Sequence, residues 1–210
     1  MSRITLDSKC RLCRAEGEKL YLKGARCLSA KCPIEKKGAV APGMHGLKRH
    51  SKPTDYGIQL RAKQKAKRIY GIQETQFKNY FLKAKKLKGL VGENLLSLVE
   101  RRLDNVIHLA GLSLSRSHAK QLISHKNVLI NGKPLNVASY EVKIGDKISL
   151  ESKTAKTLEG LLKIDEKEFK APGWLTIDRT KYAVEVTSVP SVDDFNPSIN
   201  INLIIEYYSR

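Results

Sequence analysis

The chain keeps almost all of its surplus positive charge in one half. Residues 1–95 carry 23 Lys and Arg against 7 Asp and Glu, a net of +16, whereas residues 96–210 carry 16 against 14, a net of +2. Such an excess repels itself as a chain compacts, and it is usually retained where a polyanion neutralises it. Solubility alone asks for only a few units of net charge, and the whole chain carries +18. The second half reads as an ordinary globular surface. An anionic lipid surface is a poor match, because there is no basic amphipathic helix rich in large apolar residues and no lipidation motif. No apolar run approaches the roughly 18–20 residues that span a bilayer, and Met1–Thr5 carries no apolar signal segment. A cytoplasmic chain is the expectation.

All four cysteines fall within the first 32 residues, as Cys10-x-x-Cys13, thirteen intervening residues, then Cys27-x4-Cys32. Close thiolate pairs chelate one ion, and two pairs complete a tetrahedron. In a reducing compartment they are not expected to form disulfides. Structural zinc (Zn2+) is favoured, while a 4Fe–4S cluster, which also takes four thiolates, stays open. Four protein ligands leave no coordination position for water, so the site is read as structural. Metal binding would supply folding energy that so short and polar a segment cannot draw from a core. Arg11, Arg14, Lys19, Lys23, Arg26 and Lys31 surround the ligands, making a metal-held basic knob.

From Pro33 to Pro53 the density of Gly, Pro and Lys, including Pro42-Gly43-Met44-His45-Gly46, predicts an irregular segment. His45 and His50 are assigned to surface or partner contact, since four cysteines suffice for a metal. Thr54 or Asp55 can cap a helix ending at about Tyr70, before Gly71. Ile58, Ala62, Ala66 and Ile69 recur at helical spacing as its apolar stripe. Arg61, Lys65 and Arg68 flank that stripe on one side, and Lys63 and Lys67 on the other. Residues 56–73 contain no acid, which marks both flanks as candidate contacts. Arg3, Lys48, Arg49, Tyr56 and Gln59 join them. A second helix from about Glu74 presents Phe77, Tyr80, Phe81, Ala84 and Leu87, read as core, and a third after Gly92 carries Leu95, Leu96 and Val99.

The composition then balances. Ser115 is a good N-cap for a short helix from Arg116 to His125, with Ala119, Leu122 and Ile123 facing inward. Arg116, Lys120, Gln121 and Ser124 share its outward face. Val128–Ile130 leads into Asn131-Gly132, the strongest short hairpin signal. His125, Asn131 and Lys133 complete the candidate contacts. Further strands are expected around Tyr140–Val142, Lys147–Leu150, Trp174–Ile177 and Tyr182–Val186. Ile201–Tyr208 suits either a strand or a buried helix.

Asp55-Tyr56-Gly57-Ile58-Gln59-Leu60, Lys63-Gln64-Lys65 and Tyr70-Gly71 resemble the family of the fourth protein of the bacterial small ribosomal subunit. So do Gly92-Glu93-Asn94-Leu95-Leu96, Arg102-Leu103-Asp104-Asn105 and the closing Glu206-Tyr207-Tyr208-Ser209-Arg210. Ser115 to Lys133 resembles the small RNA-binding module named after that protein, and the cysteine spacing fits the family's metal-containing branch. The resemblance spans essentially the whole chain. It implies an α+β fold: a metal-bound N-terminal knuckle (1–45), a mostly helical domain (46–97), an inserted αβ module with a hairpin and antiparallel strands (98–171), and a C-terminal segment (172–210) that completes the helical domain. It also implies that Ile201–Tyr208 is helical. The function implied is primary binding of small-subunit (16S) rRNA near a multi-helix junction in its 5′ region, nucleating assembly of the subunit body. The implied neighbours are the fifth and third small-subunit proteins and mRNA near its entry channel, where the family influences decoding accuracy. Two departures stand out. His108-Leu109-Ala110-Gly111 replaces the usual Tyr-Arg-Leu-Gly, and Ser191–Pro197 replaces a more charged stretch.

Folded RNA offers phosphates and 2′-hydroxyls more readily than base edges. Many Lys and Arg with only 6% aromatic residues suit that target, and no clustered set of exposed aromatics suggests a single-strand platform. An enzyme is not expected: there is no Gly-rich phosphate loop, no open metal site, no nucleophile–base pair and no small-molecule site. A DNA-binding regulator lacks its helix-turn-helix or finger pattern.

Overall fold

The computed structural model describes residues 8–48, 52–159, 172–178 and 180–210, so Arg3, Arg49 and His50 lie outside the described residues. The chain forms two compact units, one running to Lys83 and including Asn196–Arg210, the other Ala84–Phe195.

In the first unit three short helices, α1 (Lys9–Glu16), α2 (Ala25–Leu28) and α3 (Pro33–Lys37), precede α4 (Asp55–Tyr70) and α5 (Glu74–Lys86). The segment expected to be irregular thus begins with a helix. Pro33 occupies its first turn, where a missing N–H and a fixed φ cost nothing. Thr54 caps α4 by accepting from the Gly57 N–H at 3.2 Å. Gly71 closes it at φ +61°, which turns its own N–H back to the Arg68 carbonyl and that of Ile72 to Lys67. The buried face of α4 is the expected one only in part, since Ala66 and Ile69 are buried. Ile58 is 39% exposed, whereas Gln59, Lys63, Ala66 and Tyr70, at spacings of four, three and four, are all buried.

The second unit contains α6 (Val91–Glu100), α7 (Leu103–Leu109), α8 (Arg116–Ser124), β1 (Val128–Ile130), β2 (Lys133–Pro134), β3 (Lys147–Leu150), α9 (Ser152–Glu159), β4 (Leu175–Asp178) and β5 (Ala183–Val186). The strands form one antiparallel sheet in the order β2-β1-β3-β5-β4. β4 and β5 come from the segment expected to complete the helical domain. They join this sheet instead, with Ile148 opposite Val184 and Lys147 opposite Glu185. Tyr140–Val142 makes no strand, only a bridge between Arg102 and Glu141. The core gathers Leu103, Val106 and Ile107 of α7, Ala119 and Ile123 of α8, and Val128, Ile148, Trp174 and Val184 around the sheet.

The β1–β2 hairpin turns through Asn131 and Gly132 at φ +50° and +79°, the backbone that a two-residue turn between twisted strands requires. Asn131 works inward as well. Its Oδ1 accepts from the Lys147 N–H at 2.9 Å, and its Nδ2 donates to Asp146 at 3.0 Å. Asp146, buried, also accepts from the Lys143 N–H at 2.8 Å. The Asn131 side chain therefore locks the turn while the residue stays exposed.

The chain ends in α10 (Ile201–Ser209), so this stretch is a helix and not a strand. Asn200 caps it, and it lies along α4. Gln59 donates to Glu206 at 2.9 Å. Glu74 collects three donors: Lys63 at 2.8 Å, Lys67 at 3.0 Å and the Tyr208 hydroxyl at 3.0 Å. The Tyr208 ring stacks on Phe81 at 4.7 Å, and the Lys63 ammonium sits 4.3 Å from the centre of the Tyr207 ring. Burial by itself would raise the Glu74 carboxyl, but the bonds from Lys63, Lys67 and Tyr208 outweigh it and hold the group below its ordinary value.

Two outcomes are expected. Asn131→Ala removes two hydrogen bonds and a residue tolerant of positive φ, so urea unfolding of the second unit should show a loss of about 1–2 kcal/mol. For Glu74, the depressed folded value means stability that is present above the unfolded carboxylate range and lost as pH falls through the folded value. Glu74→Gln should therefore lower the thermal midpoint at neutral pH by the equivalent of about 1 kcal/mol, modest because the carboxylate is partly solvated. The gap to the parent should close as pH falls through the folded value; a gap that stayed constant with pH would show that the charge contributes nothing.

Candidate nucleic-acid interface

In the first unit α1 packs along α4 and brings carboxylates to its basic flank. Glu16, whose side chain is buried, pairs with Arg68 and lies 3.7 Å from Arg61, while Glu18 pairs with Lys65 at 2.6 Å. The band of cations expected on α4 is thus unequal. Arg61 is the most open, Arg68 is tied to Glu16 of α1, Lys65 to Glu18 just beyond it, Lys67 is tied to Glu74, and Lys63 and Gln59 are inside. Lys63 and Gln59, expected as contacts, instead join α4 to α5 and α10. Tyr56 is half exposed, and the fold gives it neighbours that no local pattern announces: the Tyr207 ring at 5.8 Å and the Arg210 guanidinium at 5.9 Å.

Cys10 and Cys13 lie on α1, Cys27 on α2 and Cys32 at the N-cap of α3. All four are free thiols, and with Lys23, Arg26, Pro33 and Ile34 they line one pocket. The Lys23 N–H donates to the Cys27 Sγ at 3.3 Å. Burial pushes the Cys13 thiol up; a backbone bond at Leu20 opposes this, and the neighbouring Cys27, Cys10 and Cys32 add to the rise. Among the described residues no group of three or more His, Cys, Asp or Glu is arranged to hold a metal ion. The fit to a metal rests on four soft donors sharing a pocket, not on a closed cage. Arg11, Lys23 and Arg26 are exposed around it and Arg14 partly so, while Lys19 pairs with Glu35. His45 and Lys48 are exposed in the turns that follow.

In the second unit Ser115 caps α8 by accepting from the His118 N–H at 3.3 Å. Ala119, Leu122 and Ile123 face the core as expected. Gln121, Ser124, His125 and, on β2, Lys133 are exposed, with Arg116 and Lys120 partly so. These two cations rest on α7: the Arg116 Nε donates to Asn105 at 2.8 Å, and the Lys120 ammonium lies 3.5 Å from Asp104. Burial lowers the Lys120 ammonium's affinity for its proton, Asp104 opposes that, and Arg102 adds to it. His108, at one of the departures from the resemblance, is pushed down to about 4 by burial and then by the charge of Arg116. It is neutral near pH 7 and supplies no cation. The buried supports Asp104 and Asn105 were missed as site residues, although Arg102-Leu103-Asp104-Asn105 stood out as a motif.

Residues 5–100 match the Ribosomal protein S4/S9 N-terminal domain, and residues 101–148 match the S4 domain. The small ribosomal subunit protein uS4 of Halothermothrix orenii is 47% identical over 203 residues, covering 96% of each chain. Those of Koribacter versatilis and Syntrophomonas wolfei are each 46% identical, the first over 97% of this chain and 98% of its own length, the second over 100% of both. With the helical first unit and the antiparallel module in place, the chain belongs to the small ribosomal subunit protein uS4 family.

Proposed function

We propose that this chain is a structural constituent of the small ribosomal subunit, not an enzyme, and that it binds 16S rRNA in the cytoplasm. The observation that carries this is similarity to uS4 proteins along the whole chain. The geometry supports contact through phosphates and 2′-hydroxyls. Arg11, Arg14, Lys23, Arg26, His45, Lys48, Tyr56 and Arg61 offer polar contacts in the first unit. Arg116, Lys120, Gln121, Ser124, His125 and Lys133 do so in the second. Lys65, Lys67 and Arg68 can contribute charge from within their ion pairs. The finer reading is that the protein binds early, near a multi-helix junction in the 5′ region, and pre-orders it for later proteins. Its neighbours would be the fifth and third small-subunit proteins, close to the mRNA entry channel, with an effect on decoding accuracy.

We further propose that Cys10, Cys13, Cys27 and Cys32 hold a structural zinc ion, with an iron–sulfur cluster as the alternative for the same four thiolates. Such an ion would act as a cross-link, here joining α1 to α2 and the start of α3. No helix among the described residues is long and apolar enough to cross a membrane.

Titration of a 5′-domain rRNA transcript at several salt concentrations tests the first reading. About six phosphate contacts would lower affinity by roughly 10³ between 50 and 200 mM salt; equal affinity for duplex DNA would sink it. Elemental analysis of protein purified without chelator tests the second. One zinc per chain is expected, lost in Cys27→Ser together with helical signal from the knuckle. Visible cluster absorbance would move the assignment to iron–sulfur, and metal-free protein retaining the full helical signal would end it.

A further inference from the structure

Arg116 and Lys120 stand one helical turn apart on α8, so they project from the same face. Long cations on a surface helix ordinarily sample many rotamers, and ordering them on binding costs entropy. Here α7 holds both at the functional end, Arg116 through Nε and Lys120 through its ammonium. Asn105 is 1% exposed. Its Nδ2 donates to the Glu100 backbone carbonyl at 2.9 Å and also to the Glu100 carboxylate. With the amide hydrogens directed to Glu100, Oδ1 is left as the acceptor, and the Arg116 Nε fills it at 2.8 Å. Asp104, also 1% exposed, takes a two-point bond from Arg102, Nε at 3.0 Å and Nη2 at 2.7 Å. Its Oδ2 remains within 3.5 Å of the Lys120 ammonium. The buried members Glu100, Asp104 and Arg102 sum to one negative charge, which draws the two cations of α8 toward α7.

We propose that Asn105 is a positioning residue for RNA recognition: it fixes the guanidinium plane of Arg116 through Nε, beside a Lys120 held by Asp104, so that the pair meets RNA at a preset spacing. This rests on the reading of the α8 face as an RNA contact. Asn105 touches no RNA itself. It acts by setting the plane of a planar, forked donor, for which orientation decides whether two bonds to a phosphate form or one. Lys at the same position has charge but no Nε to be held.

The test measures dissociation constants for the 5′-domain rRNA transcript with full-length protein and its variants, alongside each variant's thermal midpoint. Arg116→Ala should weaken binding roughly tenfold. Asn105→Ala should cost nearly as much, and the double variant no more than Arg116→Ala alone, since both remove the same oriented contact. Where Asn105→Ala unfolds, Arg116→Lys serves, because it alters a partly exposed side chain and keeps the charge; it should bind about as weakly as Arg116→Ala. Losses that multiply in the double variant, or Arg116→Lys binding like the parent, would overturn the positioning role while leaving the RNA contact intact. If Arg116→Ala binds like the parent, the contact reading of α8 fails and the proposal falls with it. If the parent protein does not bind the transcript, the ribosomal reading itself fails.

Discussion

In a chain with 39 Lys and Arg and 21 Asp and Glu, carboxylates are the scarce component, and where they sit organises both units. A charge removed from water survives in a fold only when it is paired and bonded. Glu16 draws α1 onto α4, Glu74 gathers α4, α5 and α10, Glu100 and Asp104 support α8 from below, and Asp146 pins the hairpin. Glu16, Glu74, Asp104 and Asp146 each serve more than one donor. Losing one would leave several cations or amides facing one another without a counterpart, which costs more than the bonds themselves.

The cations fall into three groups as a result. Some, such as Lys63 and Arg102, have become interior structure and are not available to a partner without opening the fold. Others, such as Arg116 and Lys120, are partly exposed and held on α7 through Nε and the ammonium. Exposed ones, such as Lys48 and Lys133, supply charge with no fixed direction. A protein that binds a shaped polyanion gains from all three. The first sets the scaffold, the second gives orientation, and the third adds salt-sensitive attraction that is tolerant of geometry.

Local features were legible in the sequence because their causes are local. Thr54 and Gly71 mark the ends of α4, Ser115 starts α8, and Asn131-Gly132 turns the hairpin; each depends on residues within a few positions. The cysteine spacing likewise foretold that four thiols would share one pocket. What stayed hidden was set by distant partners. Gln59 and Lys63 look like surface residues until α10 arrives, with Gln59 and Glu206 separated by 147 positions. The α4 cations look uniformly free until Glu16 and Glu18 are laid beside them. β4 and β5 were recognisable as strands, but nothing in their own pattern tells which sheet they enter. α9 (Ser152–Glu159) escaped because its sequence is mostly polar, although Ala155 is buried.

The placement of α10 has a bearing on how the molecule comes into being. The second unit is inserted between α5 and α10, so in order of synthesis all of residues 84–195 emerge before the last helix of the first unit. Domains tend to fold as units as they emerge. The second unit has every strand and core residue it needs at a time when Lys63 and Glu74 still lack the Tyr207 and Tyr208 rings beside them. The more cationic part of the chain therefore closes last, and its internal charges meet their final surroundings only after the near-neutral module is already built.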